Sequence, residues 1–106
     1  MEKRILNELN ILKKIIVKTV PVVKIYLIDS SKGDLFEDSD CGLYVVIADN
    51  SSLRELEAIQ LIHKAIRDQK TIALDVIVAK KKKFDQLKFT PGLEQKLWRE
   101  GQVLYE

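Results

Sequence analysis

The chain has 106 residues, 46% apolar and 32% charged, and its 18 basic and 16 acidic side chains give a net charge of +2. This length suits one domain, residues 1–106, and the composition excludes a wholly disordered chain. The near balance of charge predicts neither a nucleic-acid nor a membrane partner. The single Cys41 cannot form an intrachain disulfide, and charges interrupt the N-terminal region, so no signal peptide or membrane span is predicted. We therefore expect a cytoplasmic protein.

The first half of the sequence predicts one helix and two strands. Residues 2–18 carry apolar side chains at helical spacing, and Pro21 ends this helix because the residue before a proline avoids the α region. Val22–Ile28 is a β-branched and aromatic run of strand length. Residues 29–40 are polar and rich in turn-forming residues, and a second strand follows at Leu43–Ala48.

A second helix and a third strand come next. Ser52–Glu55 has the pattern of a capping box, which opens a helix through about Asp68. Ile72–Ala79 is nearly all apolar, which is typical of a covered central strand. The lysines of Lys80–Lys83 are expected to end that strand.

The last part of the chain predicts a short helix and an apolar tail. Thr90 offers an N-cap with Pro91 at the first helical position, so the helix runs through Arg99. Gly101 is the expected C-cap, and Val103–Tyr105 follows. The element order predicts an α+β fold, a small mixed β-sheet flanked by helices.

Two carboxylates stand where they could form a site. Asp75 interrupts an apolar strand, and a buried carboxylate needs a cation, a hydrogen-bond network or a wet cleft. Asp40 stands at the mouth of the second strand, so the two could hold Mg²⁺, which binds through one or two carboxylates plus substrate phosphates. A salt bridge or an edge position is the alternative for Asp75. A solvated acidic turn is the favoured interpretation of Asp34, Glu37 and Asp38.

Several short motifs occur in an order that is typical of one protein family. The strand Val22–Ile28 leads to Ser-Lys-Gly-Asp at 31–34, then to Asp-Ser-Asp at 38–40 and into the strand from Leu43, while Asp75 lies on a later strand. This order resembles the minimal nucleotidyltransferase family of the DNA polymerase β-like superfamily. The signature of that family is a strand ending in Gly-Ser, ten residues that include Arg-x-Arg-Gly, an Asp-x-Asp pair and a third carboxylate on a later strand.

The resemblance implies a nucleotidyltransferase fold, with Mg²⁺ and ATP as cofactors. It assigns Asp40 and Asp75 as the catalytic carboxylates and metal ligands. It assigns Ser30, Lys32 and Gly33 to nucleotide binding. In active relatives the ions neutralise the triphosphate charge and activate an acceptor hydroxyl.

Two departures from the family pattern affect the predicted chemistry. Ile28 and Asp29 replace the Gly-Ser turn, which brings backbone amides and a hydroxyl to the phosphates. Gly42 replaces the second carboxylate of the Asp-x-Asp pair, although residues 40 and 42 should share a strand face. The resemblance therefore implies a nucleotidyltransferase-like protein with impaired catalysis.

The resemblance also implies a partner, because relatives of this kind act as antitoxins to HEPN-domain toxins. Two alternatives stay open. One is a residual Mg²⁺-dependent transferase that places AMP on a protein hydroxyl, with Asp38 as a substitute ligand. The other is a non-catalytic protein-binding module that needs no cofactor. Homo-oligomerisation is also left open.

The remaining conspicuous residues are expected to be structural. His63 is interpreted as a boundary residue of the second helix, and Cys41 as a small strand residue without a second cysteine for metal binding. Lys80–Lys83 is interpreted as a solvated strand end. Trp98, Leu104 and Tyr105 are expected to pack the tail, whereas an exposed cluster there would indicate a partner surface.

Overall fold

The computed structural model describes residues 3–29 and 41–106, and within these ranges the chain forms helices on both faces of one sheet. The helices are α1 (Lys3–Thr19), α2 (Glu55–Ile66), α3 (Lys81–Leu87) and α4 (Leu93–Glu100). The strands are β1 (Val22–Asp29), β2 (Cys41–Ile47), β3 (Leu74–Lys80) and β4 (Gln102–Tyr105).

The four strands lie in the order β3-β2-β1-β4. β1 pairs antiparallel with both β2 and β4, whereas β2 and β3 run parallel. The parallel pair requires a crossover, and α2 supplies it by packing over the sheet between β2 and β3. The predicted α+β fold with a small mixed sheet and flanking helices is confirmed.

One face of the sheet carries the larger apolar core, under α1 and α2. The apolar residues of α1 recur every three or four positions, so that Leu9, Leu12 and Ile16 all point to the sheet and are fully buried. Ala58 and Ile62 do the same in α2. Alternate strand residues face these helices, among them Ile25, Leu27, Leu43, Val45 and Val78.

The opposite face carries a smaller core, under α3 and α4. Phe84 of α3 and Leu97 of α4 pack onto strand residues that include Tyr26 and Tyr44. The Phe84 ring stacks on Tyr26 at a centroid distance of 5.4 Å and meets Tyr44 edge-on at 5.5 Å. This face therefore relies on a few aromatic contacts.

The lysine run differs from its predicted role. Lys80 is the last residue of β3, but the next three lysines form the first turn of helix α3. Three lysines at a helix N-terminus oppose the helix dipole. Carboxylates from elsewhere offset this repulsion, because Asp49 accepts the N–H of Lys82 at 2.9 Å and Glu55 accepts the N–H of Lys80 at 3.0 Å.

The predicted start of the second helix is shifted, and the helix also ends earlier than Asp68. α2 begins at Glu55, with Arg54 as its N-cap. The Glu57 carboxylate accepts the Arg54 N–H at 3.1 Å, which is one half of a capping box, because the arginine side chain cannot accept the second hydrogen bond. The Ser51 hydroxyl accepts the Leu53 N–H at 3.1 Å, so the preceding turn has its own hydrogen bond.

The start of the last helix is also shifted, whereas its end is as predicted. α4 begins at Leu93 with Gly92 as its N-cap, so Thr90 and Pro91 precede the helix. Gly101 is the C-cap and donates its N–H to the carbonyl of Leu97 at 2.8 Å. In the ranges that the structure describes, no helix is both long and apolar enough to cross a lipid bilayer.

Candidate functional site

A cross-strand row of three residues marks the predicted site. Gly42 of β2 lies between Ile28 of β1 and Asp75 of β3, with both of them as its register partners. Neighbouring strands are about 4.8 Å apart, so each member is in side-chain reach of the next. We call Ile28, Gly42 and Asp75 the cross-strand row.

The row lies on the face of the sheet that α3 and α4 cover. Ile28 belongs to the core of that face, as does Tyr44, two residues after Gly42. Ile77, two residues after Asp75, belongs to it as well, and residues two apart on a strand share a face. Asp75 is half-buried there, on a strand at the edge of the described sheet, which is the alternative position considered for it.

The other sequence-predicted site residues lie outside the described residues. These are Asp40, the second proposed metal ligand, and the proposed nucleotide contacts Ser30, Lys32 and Gly33. The proximity of Asp40 to Asp75 and the phosphate contacts therefore stay predictions.

The cross-strand row supplies few metal ligands. Ile28 has an apolar side chain and Gly42 has none, so within the row the ligating group is the Asp75 carboxylate. Across residues 3–29 and 41–106, no three His, Cys, Asp or Glu side chains come together in a way that could hold a metal ion. The described donors alone do not fit a Mg²⁺ site built from three carboxylates.

A partly buried hydrogen bond beside the row was not predicted from the sequence. The Tyr44 hydroxyl donates to Oε2 of Glu94 at 2.8 Å, which ties α4 to the centre of the sheet. Burial, and then the Glu94 carboxylate, raise the pKa of Tyr44 far above its ordinary value, so Tyr44 is a neutral donor and not a base. The available signal was a tyrosine in a buried strand, whose hydroxyl needs a partner.

The lysines lie at the other end of the sheet. Lys80 pairs in register with Ile47, and both are five residues along their strands from the row, roughly 16 Å away. There Arg54, Lys82 and Lys83 help to line an open cleft of about 540 Å³. Asp49 and Glu55, which accept the N–H groups of Lys82 and Lys80, line the same cleft. This cleft does not belong to the cross-strand row.

Four structural expectations have mixed outcomes. Cys41 is buried in β2, and Tyr105 is half-buried against the larger core, both as expected. His63 is exposed and does not lie at the core boundary. Trp98 is 44% exposed and contacts the exposed Phe89, so the expectation that it packs the tail is wrong.

Comparison with known proteins shows a likeness of fold. The chain matches a solved structure of a proposed nucleotidyltransferase from Sulfolobus solfataricus, with a TM-score of 0.55 and 16% sequence identity, over 78% of this chain and 73% of that one. No protein-family model and no curated protein matches the chain. The predicted nucleotidyltransferase fold is confirmed, and at this identity the likeness is one of fold alone.

Proposed function

We propose that this nucleotidyltransferase-fold chain is impaired in nucleotidyl transfer and acts by binding a partner protein. The observation that supports this is the cross-strand row, in which Gly42 is the register partner of Asp75. A carboxylate at residue 42 would stand beside Asp75, where it could share a metal ion, whereas glycine contributes no ligand.

The end of β1 adds a second reason. Ile28 is buried beside Gly42, and Asp29 follows it as the last residue of the strand. An extended strand with an aliphatic and an acidic side chain lacks the Gly-Ser turn that would bring N–H donors to a triphosphate. By sequence, an acidic residue at position 29 in place of that turn also adds negative charge, which disfavours phosphate binding.

Mg²⁺ would have two remaining ligands on this proposal, Asp75 and Asp40. When bound, the ion would neutralise triphosphate charge and activate an acceptor hydroxyl. Two carboxylates without the phosphate turn would hold a nucleotide weakly. We therefore expect the protein to have kept the fold as a binding surface, with a HEPN-domain protein as the partner that the family resemblance implies.

Calorimetric titration with ATP and Mg²⁺ tests the loss of nucleotide binding. We expect no binding tighter than about 1 mM, a dissociation constant that already represents roughly 4 kcal/mol. Submillimolar, Mg²⁺-dependent binding would overturn the proposal and favour the residual AMP transferase. Coexpression with a HEPN-domain protein encoded beside this gene tests the partner, because a stable complex should then co-purify.

Replacement of Gly42 tests the geometry of the row. Gly42→Asp should lower the melting temperature without metal, because its carboxylate is close to that of Asp75 and like charges repel. Mg²⁺ should then stabilise Gly42→Asp more than the wild type, since a ligand that binds the native state raises its stability. Gly42→Asn is the matched control, being similar in shape without the charge, and its metal response should stay close to that of the wild type.

The measurement is a thermal melt of the three proteins with and without millimolar Mg²⁺. An identical metal response in Gly42→Asp and Gly42→Asn would show that residue 42 does not share a metal site with Asp75. Transfer activity is not expected from Gly42→Asp, because Ile28 and Asp29 still replace the phosphate turn.

A further inference from the structure

The connection between α3 and α4 presents an aromatic pair to solvent. Phe89 is 67% and Trp98 44% exposed, and their rings meet edge-to-face at a centroid distance of 5.4 Å. The Lys88 ammonium lies 5.4 Å from the Phe89 centroid and 5.0 Å from the Trp98 centroid. We call Lys88, Phe89 and Trp98 the aromatic patch.

The patch is held in place by its own contacts. Only 20% of the Lys88 side chain is exposed, and its ammonium forms an ion pair with Asp85 at 3.3 Å while it contacts both rings. Side chains that are already ordered lose little entropy when a partner binds. Tryptophan is among the residues that most often dominate binding energy at protein interfaces.

An apolar groove continues from the patch across the sheet. Its volume is about 220 Å³, and Trp98 and Lys88 form part of its wall. Four of the remaining lining residues are apolar or aromatic, namely Val23, Tyr26, Val46 and Phe84. The other three are charged, namely Lys24, Lys81 and Asp85. The groove therefore combines apolar and aromatic lining residues with three lysines and one aspartate. Lys81 and Lys88 both pair with Asp85, and Lys24 pairs with Glu106, which still leaves a net positive charge. Such a groove suits an aliphatic or aromatic side chain flanked by carboxylates.

The charge of the surrounding segment is biased in the same direction. Residues 80–100 contain seven basic and three acidic side chains, a net charge of +4, whereas the whole chain has +2 and the remainder therefore −2. A surface with this excess of positive charge attracts an acidic partner and repels a basic one.

We infer that the aromatic patch and its groove dock an acidic, amphipathic segment of a partner protein, with an apolar side chain seated in the groove. This inference names the partner chemistry for the binding role proposed above and rests on it. A single-stranded nucleic acid fits less well, because successive bases stack on ring faces, whereas these rings stand at 69° to each other under a lysine.

Trp98 is the single tryptophan of the chain and so reports directly on the patch. The probe is a synthetic amphipathic peptide with leucine and phenylalanine on one helical face and aspartate and glutamate on the other. We expect a saturable change in Trp98 emission that weakens as salt is added. Two matched peptides, one with lysines for the acidic residues and one with serines for the apolar residues, should not bind.

Variants of the patch locate the binding site. Phe89→Ala and Lys81→Glu should each weaken peptide binding by about tenfold or more, as expected of an anchor and of a charge at the rim. The matched controls are Leu56→Ala and Lys14→Glu, an exposed leucine of α2 and an exposed lysine of α1 outside the groove. Both controls should bind as the wild type does.

Four outcomes would overturn the inference. Three of them are equal binding of the acidic and lysine peptides, tighter binding of a twelve-nucleotide oligothymidylate than of the acidic peptide, and a dimer in sedimentation that Phe89→Ala abolishes. Absence of any emission change up to about 1 mM acidic peptide would also overturn it. The titration contains no nucleotide or Mg²⁺, so its failure is distinguishable from the ATP binding that would overturn the proposed loss of nucleotidyl transfer.

Discussion

The two faces of the sheet differ in how they are held together. Under α1 and α2 the apolar core is larger, and α1 alone buries Leu9, Leu12 and Ile16 there. The Glu8 carboxylate of α1 also accepts the N–H groups of Thr71 and Ile72 at 3.2 Å, in exposed or partly buried hydrogen bonds. Under α3 and α4 the core is smaller and includes the hydrogen bond from Tyr44 to Glu94. The first face therefore provides most of the apolar burial, and the second combines weaker burial with the polar groups from which a site can be built.

This difference bears on whether the fold can persist without its chemistry. The cross-strand row lies on the second face, where Asp75 is half-buried. A glycine at residue 42, in place of the carboxylate of the family pattern, does not affect the large core under α1 and α2. The fold can therefore persist when the chemistry is impaired, which is what we propose for this protein.

The largest expected effect comes from truncating the α1 core. Leu12 is fully buried, and Leu12→Ala should lower the free energy of unfolding by about 2–5 kcal/mol, because transfer energy and packing are both lost. Urea unfolding measures this loss. The control is Leu56→Ala, whose side chain is 63% exposed and whose cost should stay within about 0.5 kcal/mol. Equal losses in the two variants would contradict the assignment of the main core to this face.

An intermediate loss of stability is expected when the hydrogen bond between Tyr44 and Glu94 is removed. Tyr44→Phe removes the hydroxyl that donates to Glu94 and should cost about 1–2 kcal/mol near neutral pH. Tyr105→Phe is the matched control on the other face and should cost less.

The contribution of Tyr44 should depend on pH. The pKa of an unfolded tyrosine is near 10.0, and burial followed by the Glu94 carboxylate raises the folded-state pKa of Tyr44 well above it. The hydroxyl therefore stabilises the fold fully below pH 10, and this contribution falls as pH rises above 10 towards the folded-state pKa. Urea unfolding at pH 8 and pH 11 should show the difference between wild type and Tyr44→Phe shrinking. A constant difference would mean that ionisation of Tyr44 is not linked to unfolding.

The smallest effect is expected at the start of α3. Asp49→Ala removes the carboxylate that accepts the Lys82 N–H, and it should cost about 1 kcal/mol at low salt, as loss of a helix cap does. Asp49→Asn keeps an acceptor but not the charge, so its cost should be smaller and should vanish at high salt. Thermal melts at two salt concentrations separate the contribution of the hydrogen bond from that of the charge. A cost for Asp49→Asn that is unchanged by salt would exclude the charge as its cause.

Local sequence predicted the elements whose burial follows from their own residues. The helical spacing of α1 and the β-branched and aromatic run of β1 indicated those elements directly, and Gly101 marked the end of α4. The apolar character of residues 72–79 also predicted β3, although the strand begins two residues later, at Leu74. The expectation that this strand is central is wrong, because β3 lies at the edge of the described sheet, with β2 as its neighbour. These features depend on neighbours within a few positions, which a sequence displays.

The same local reasoning missed α3. Three lysines begin this helix, and carboxylates from earlier in the chain offset their charge. Asp49 accepts the N–H of Lys82 from 33 positions earlier, and Glu55 accepts the N–H of the N-cap residue Lys80 from 25 positions earlier. β4 was expected as an apolar tail, and its strand geometry comes from antiparallel pairing with β1.

The features of the candidate site also fall into those that the sequence predicts and those that depend on tertiary structure. The sequence by itself determined that Asp75 interrupts an apolar strand and that glycine stands at residue 42. Only the tertiary structure decided that Gly42 is the register partner of Asp75, that the lysines lie at the opposite end of the sheet, and that Trp98 meets Phe89 in solvent. The physical reason is that strand register and helix packing join residues distant in the chain, and their energies depend on partners that local composition does not identify.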